Sequence, residues 1–152
     1  MKIVFTGIPG MGKTEIGKYL EKEHGFQHFD LEEPNNIHLY VNSNGNVSVL
    51  LKNINREKVV ITWGFRPIDD IQYVLNLKSC GFKLVWFDGD RPSAFREFMK
   101  VKAAYEEAFY IQMINIIRSQ VIDKIQPIVF NTFDENGNFK DKEAIAQELI
   151  KA

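Results

Sequence analysis

An α/β protein built on a parallel sheet, with helices covering both faces, is the architecture this chain should adopt. Short apolar runs rich in β-branched and aromatic residues alternate with helix-patterned stretches, and a parallel sheet obliges each crossover to cover a face. Each run closes in a glycine or polar turn, which gathers those turns along one edge of the sheet. The chain has 152 residues, 45% of them hydrophobic, enough to fill one core, and no repeat or linker divides it.

Lys2 to Thr6 reads as the first strand and stops at Gly7. Lys13 to His24 then sets Ile16, Tyr19 and Leu20 on one helical face before Gly25 ends the helix. Phe26 to Asp30 is the second strand. Lys58 to Trp63 is a continuous apolar run suited to a strand buried on both faces, closed by Gly64-Phe65-Arg66-Pro67. Pro67 fits the first turn of a helix reaching about Cys80, with Gly81 as its stop. Lys83 to Phe87 is the fourth strand. Pro92 to about Ile125 is helical, long enough to require a break near Ala103 to Tyr110. Pro127 to Asn131 is the last strand, and Asp141 caps a terminal helix that buries Ile145, Leu149 and Ile150. Residues 37 to 55 admit two readings. They form either a hairpin turning at Asn42-Ser43-Asn44-Gly45, or a helix over Val47 to Ile54 that leads into the third strand.

Composition removes several functions. With 19 Lys+Arg against 20 Asp+Glu the formal charge is −1. There is no broad positive field for nucleic acid or an anionic membrane, so small molecules or proteins are the expected partners. No stretch approaches the ~20 apolar residues of a membrane span, and the N-terminus lacks the apolar centre of a signal peptide, which makes the expected compartment cytoplasmic. The single Cys80 has no internal disulfide partner and is expected to be a buried, inert thiol. His24, His28 and His38 share no metal-ligand spacing. Phe95, Phe98, Tyr105, Phe109 and Tyr110 recur at three to four residues, which is core packing.

Gly7-Ile8-Pro9-Gly10-Met11-Gly12-Lys13-Thr14 matches G-x-x-x-x-G-K-[ST] in full, between a strand and an amphipathic helix where that motif works. The glycines let successive N–H groups turn inward as a nest for phosphate oxygens, and the positive end of the following helix reinforces it. Lys13 then reaches the β/γ-phosphates, and the Thr14 hydroxyl can coordinate Mg²⁺. A dinucleotide fingerprint is excluded, because it needs Gly or Ala where Glu15 stands.

On these residues the chain resembles the P-loop nucleoside/nucleotide kinase superfamily, which includes adenylate, shikimate and gluconate kinases. The resemblance implies a three-layer P-loop NTPase fold with a parallel five-stranded sheet of order 2-3-1-4-5. It also implies ATP with Mg²⁺ as donor, an acceptor pocket after the second and third strands and an arginine-bearing lid after the fourth. Residues 31–56 correspond to the acceptor side and 88–110 to the lid. Asp30 stands where shikimate-type kinases end strand two with an acidic residue facing the acceptor; Glu32 and Glu33 are weaker candidates for that role. Val59 to Pro67 is similar to the third strand of adenylate-type kinases, with two departures. Trp63 replaces the acidic residue, and Arg66-Pro67 reverses the usual pair. Mg²⁺ would then rest on Thr14, phosphates and water, with Asp88 or Asp30 acting through solvent. Arg66 is either a contact for an acceptor anion or a surface charge at a helix start. Arg91 and Arg96 fall near the approach to the lid and stand either as neutralisers of transferring charge or as surface cations, with Lys100 and Lys102 as substitutes lacking the guanidinium fork. Asn131-Thr132-Phe133 matches the loop that flanks the adenine. The expected activity is ATP-dependent phosphoryl transfer to a nucleoside, nucleotide or other hydroxyl metabolite. The alternative is a non-catalytic, switch-like ATP-binding protein. GTP is disfavoured because no Asn-Lys-x-Asp motif occurs.

Overall fold

A computed structural model describes residues 1–101 and 105–152. Its sheet contains β1 (Lys2–Gly7), β2 (Gln27–Asp30), β3 (Val59–Thr62), β4 (Lys83–Phe87) and β5 (Ile128–Phe130), all parallel, in the order β2-β3-β1-β4-β5. The central strands are apolar because both faces are covered. Ile3, Val4, Phe5, Val59, Val60, Ile61, Val85 and Phe87 are fully buried, each worth roughly 1.5–3 kcal/mol of transfer free energy. Register aligns the carboxyl ends: Asp30 lies beside Thr62, Phe5 beside Thr62, and Gly7 beside Phe87. The loops leaving β1, β2, β3 and β4 therefore open along one edge.

Helix α1 (Lys13–His24) follows β1 and packs with the terminal helix α8 (Lys142–Lys151), whose first turn is capped by Asp141 accepting from Ala144 N. Helix α4 (Ile71–Ser79), α5 (Arg91–Met99), α6 (Glu106–Ser119) and α7 (Val121–Ile125) form a second group linked through α4–α7, α6–α7 and α5–α6 contacts. Among the described residues no helix is long and apolar enough to cross a membrane.

The structure refines four expectations. Residues 37–55 contain no hairpin: α2 (Pro34–Ile37), a 3-10 turn (Val41–Ser43) and α3 (Val47–Leu51) occupy the region. Asn46 caps α3 by accepting from Ser48 N, and Leu50 is its buried anchor, so the helical reading of Val47 onward is the right one. Helix α4 starts at Ile71, not Pro67, because Asp70 accepts from Arg66 N and holds residues 66–70 in a turn of their own. The long helical stretch is broken twice. It ends at Met99 and resumes at Glu106, Lys102 to Ala104 lying outside the described residues, and it breaks again at Gln120, whose φ is 53°. Cys80 is exposed, not buried, since it follows the last buried turn of α4 at Leu77.

Candidate active site

The turn after β1 is held from beneath. Ile8 and Met11 are fully buried, Ile8 N donates to Phe87 O at 3.0 Å, and the buried Thr132 hydroxyl donates to Met11 O at 2.8 Å. Gly7 and Gly10 adopt φ of 121° and 80°, and a Cβ would come within 2.3 Å of Phe87 O and 2.0 Å of Ala94 O. Only glycine fits there, and the turn borders a concave space at the start of α1. Lys13 donates from Nζ to Ile8 O at 2.8 Å across that space. Burial pulls its amine down to about 8, with Glu32 and then Asp30 drawing it back upward.

The neighbouring strand supplies acids. Asp30, at the end of β2, accepts from the Thr14 hydroxyl at 3.3 Å and from Glu32 N at 3.0 Å. Two residues on, Glu32 Oε1 accepts from Gly64 N at 2.7 Å. A Cβ on Gly64 would sit 2.4 Å from that same oxygen, so glycine at 64 is what admits the carboxylate. Trp63, where the acidic residue was expected, is an apolar wall. It is 5% exposed and packs edge-on to Tyr40 and against Phe65.

Two chambers meet at Glu32, which also borders a third of about 390 Å³ between Leu31, Ile37, Val41, Trp63 and Asp70. One, about 440 Å³, runs along the phosphate turn past Gly10, Lys13 and Thr14 to Phe98. The other, about 310 Å³, lies between Thr6, Phe65, Arg66, Trp86, Asn115 and Ile116. Gly7, Glu32, Gly64 and Gln112 border both. A smaller apolar cavity of about 180 Å³ lies on the other side of the turn, between Gly12, Ile16, Phe139 and Ile145.

The expected arginines are engaged elsewhere. Arg66 borders the second chamber, but its guanidinium forks onto Asp70 at 2.9 and 3.1 Å. Arg91 forks onto Asp88 at 3.1 Å, and Asp88 also accepts from Gly89 N and Trp86 Nε1. That carboxylate is committed to structure and leaves no lone pair aimed at a metal. Arg96 donates to Gly137 O at 2.6 Å and to Glu97, which also holds Lys100. Asp88, Arg91 and Arg96 line neither chamber. In the expected adenine loop Thr132 faces inward and Phe133 stacks on Phe139 at 4.5 Å, so Phe139, not Asn131 to Phe133, faces the small apolar cavity.

The cradle fits a polyphosphate, since a glycine turn leading into a helix N-terminus with one amine beside it is what such a group requires. Thr14 and Asp30 fit a Mg²⁺ that takes its remaining ligands from phosphate and water, because among the described residues no three His, Cys, Asp or Glu side chains gather as a metal cage.

No family model matches the sequence, and no curated protein sequence does. Among solved structures, shikimate kinase from Bacteroides thetaiotaomicron superposes with a TM-score of 0.59 at 20% identity, over 100% of this chain and 99% of that one. Shikimate kinase from Aquifex aeolicus gives 0.56 at 19%, over 99% and 94%. A gluconokinase from Sinorhizobium meliloti gives 0.54 at 13%, over 99% and 95%. The chain has the fold of the P-loop small-molecule kinases. The sheet order expected from the resemblance is the one observed. Within this P-loop kinase fold the residue that sequence reasoning undervalued is Glu32. Its signals were present: it stands two residues beyond Asp30, in the turn that closes the second strand, and a glycine follows the third strand to receive it.

Proposed function

We propose that this chain is an ATP- and Mg²⁺-dependent phosphotransferase acting on a hydroxyl of a small acceptor. The observation that carries the reading is the position of Glu32, one carboxylate at the junction of the phosphate chamber and the acceptor-sized chamber. Residues 7–14 hold the triphosphate, with Lys13 on its outer phosphates. The apolar cavity beside Gly12 and Phe139 receives the base. Thr14 and Asp30 hold the Mg²⁺, which when bound neutralises charge on the phosphates. Glu32 takes the acceptor hydroxyl proton as the new O–P bond forms and the bond to the departing ADP breaks. Gln112 and Asn115 orient the acceptor by hydrogen bonds, and Trp86 and Phe65 exclude water. Arg66, held by Asp70, is left with a supporting part, and Asp88, Arg91 and Arg96 have none in the transfer.

A panel of nucleosides, nucleotides and hydroxyl metabolites tests this by acceptor-dependent ADP formation. Turnover should appear with at least one member, vanish in Lys13→Ala, and fall about 10²–10⁴-fold in kcat in Glu32→Gln while ATP affinity is retained. ATP binding without turnover of any acceptor would overturn the kinase reading and favour the switch-like alternative.

A further inference from the structure

Helix α6 is apolar on two sides. Phe109, Met113 and Ile116 are buried against the core, as one amphipathic face requires. On the opposite side Tyr110, Ile111, Ile114 and Ile117 are 50%, 55%, 47% and 64% exposed. Single exposed apolar residues are ordinary, but four large ones on neighbouring turns of one helix form a continuous patch that marks an interaction surface. The patch is not loosely held, since Tyr110 stacks on Phe95 at 5.8 Å.

The charges around it identify the occupant. Glu107, Ile111, Ile114 and Arg118 are spaced four, three and four residues apart, which lines them up as one seam of the kind that packs against another helix. The acid stands at the amino end of the seam and the base at its carboxyl end. Both are exposed, and neither enters an ion pair among the described residues. A seam with one sign at each end is complementary to itself when reversed. Turned about a two-fold axis passing between Gln112 and Met113, Ile111 meets the partner subunit's Ile114, and Glu107 meets the partner subunit's Arg118. Tyr110 and Ile117 broaden the contact along one flank. Such a two-fold contact uses the same patch on both molecules and closes on itself, so it gives a dimer and not a filament. A parallel arrangement would set like charges against each other at both ends and is disfavoured. We infer that the exposed face of α6 is the interface of an antiparallel homodimer, set in register by Glu107 and Arg118.

Helix α6 also borders the cleft through Gln112 and Asn115. Gln112, which borders both chambers, lies roughly 160° around the helix from Ile114. The two helices that meet at the axis are thus the same two that each form one wall of an active site.

Sedimentation equilibrium of the full chain over a range of concentrations tests the inference. The protein should show a reversible species of twice the chain mass. Ile114→Lys, at an exposed position that leaves the fold intact, should raise the dissociation constant by about tenfold or more, with an unchanged circular dichroism spectrum. Glu107→Arg alone and Arg118→Glu alone should each weaken the dimer, and the double exchange should restore it, because the reversed charges pair again. A chain that remains monomeric throughout overturns the proposal. So does a dimer indifferent to Ile114→Lys, or one that the double exchange fails to restore. Sedimentation of the monomer with vesicles in preference to self-association would also overturn it and assign the face to a lipid surface.

Discussion

Lys13 and Glu32 face one another across the phosphate turn, and their environments set what each can do. With its amine pulled down to about 8, Lys13 loses its charge as pH rises through that value. Bound phosphate stabilises the charged form, so nucleotide binding above pH 8 takes up a proton and weakens with each further rise. Calorimetry with an ATP analogue between pH 7 and pH 9.5 should show affinity falling across that window, and Lys13→Arg should flatten the fall by removing the titration. Gly64 makes a second prediction. Gly64→Ala places a methyl within 2.4 Å of Glu32 Oε1, so the carboxylate must leave its seat on the Gly64 amide. Turnover should drop by about as much as in Glu32→Gln while the melting temperature changes little, which acceptor-dependent ADP release and a thermal melt will read together. The arginines show why charge alone misleads. Arg66 and Asp70 stand four apart, and Asp88 and Arg91 three, so the pairing that ties up each guanidinium was legible as spacing once a helical turn at those positions was expected.

Elements that fold on local signals were readable, and those that depend on neighbours were not. The β1 turn and α1 announce themselves in eight consecutive residues, and the terminal helix does so through Asp141. Residues 37–55 stayed undecided because Asn44 and Gly45, both left-handed at φ of 57° and 72°, serve a turn between short helices as readily as a hairpin. What decided between them was Leu50 and Tyr40 reaching the core, which is tertiary information. The joint between α1 and α8 was invisible for the same reason. Tyr19 donates to Glu143 at 2.7 Å, and His24 Nε2 lies 2.9 Å from the same carboxylate. Hydrogen bonds from Gln147, Tyr19 and His24 hold the Glu143 carboxyl down to about 2. A carboxylate held below its ordinary 4.5 takes up its proton later than the unfolded chain does. The stability it contributes is thus complete above pH 4.5 and lost as pH falls toward 2. Acid unfolding followed by circular dichroism should be shallower over that interval in Glu143→Gln, with no difference between the two proteins near pH 7 beyond a constant offset.

For the molecule as a whole the sheet is both the source of stability and the ruler that spaces the site. Phe5, fully buried in the central strand and packed at 4.9 Å from Phe87, ties the strand before the phosphate turn to the strand beside it. Phe5→Ala should cost about 3–5 kcal/mol in urea unfolding and weaken nucleotide binding as a secondary effect, because Gly7 is two residues downstream. Since Glu32 borders both chambers, a molecule entering either one alters the electrostatic surroundings of the other. In a bisubstrate reaction this makes the two affinities reciprocal: whatever factor the first arrival adds to or subtracts from the second is returned in full when the order is reversed.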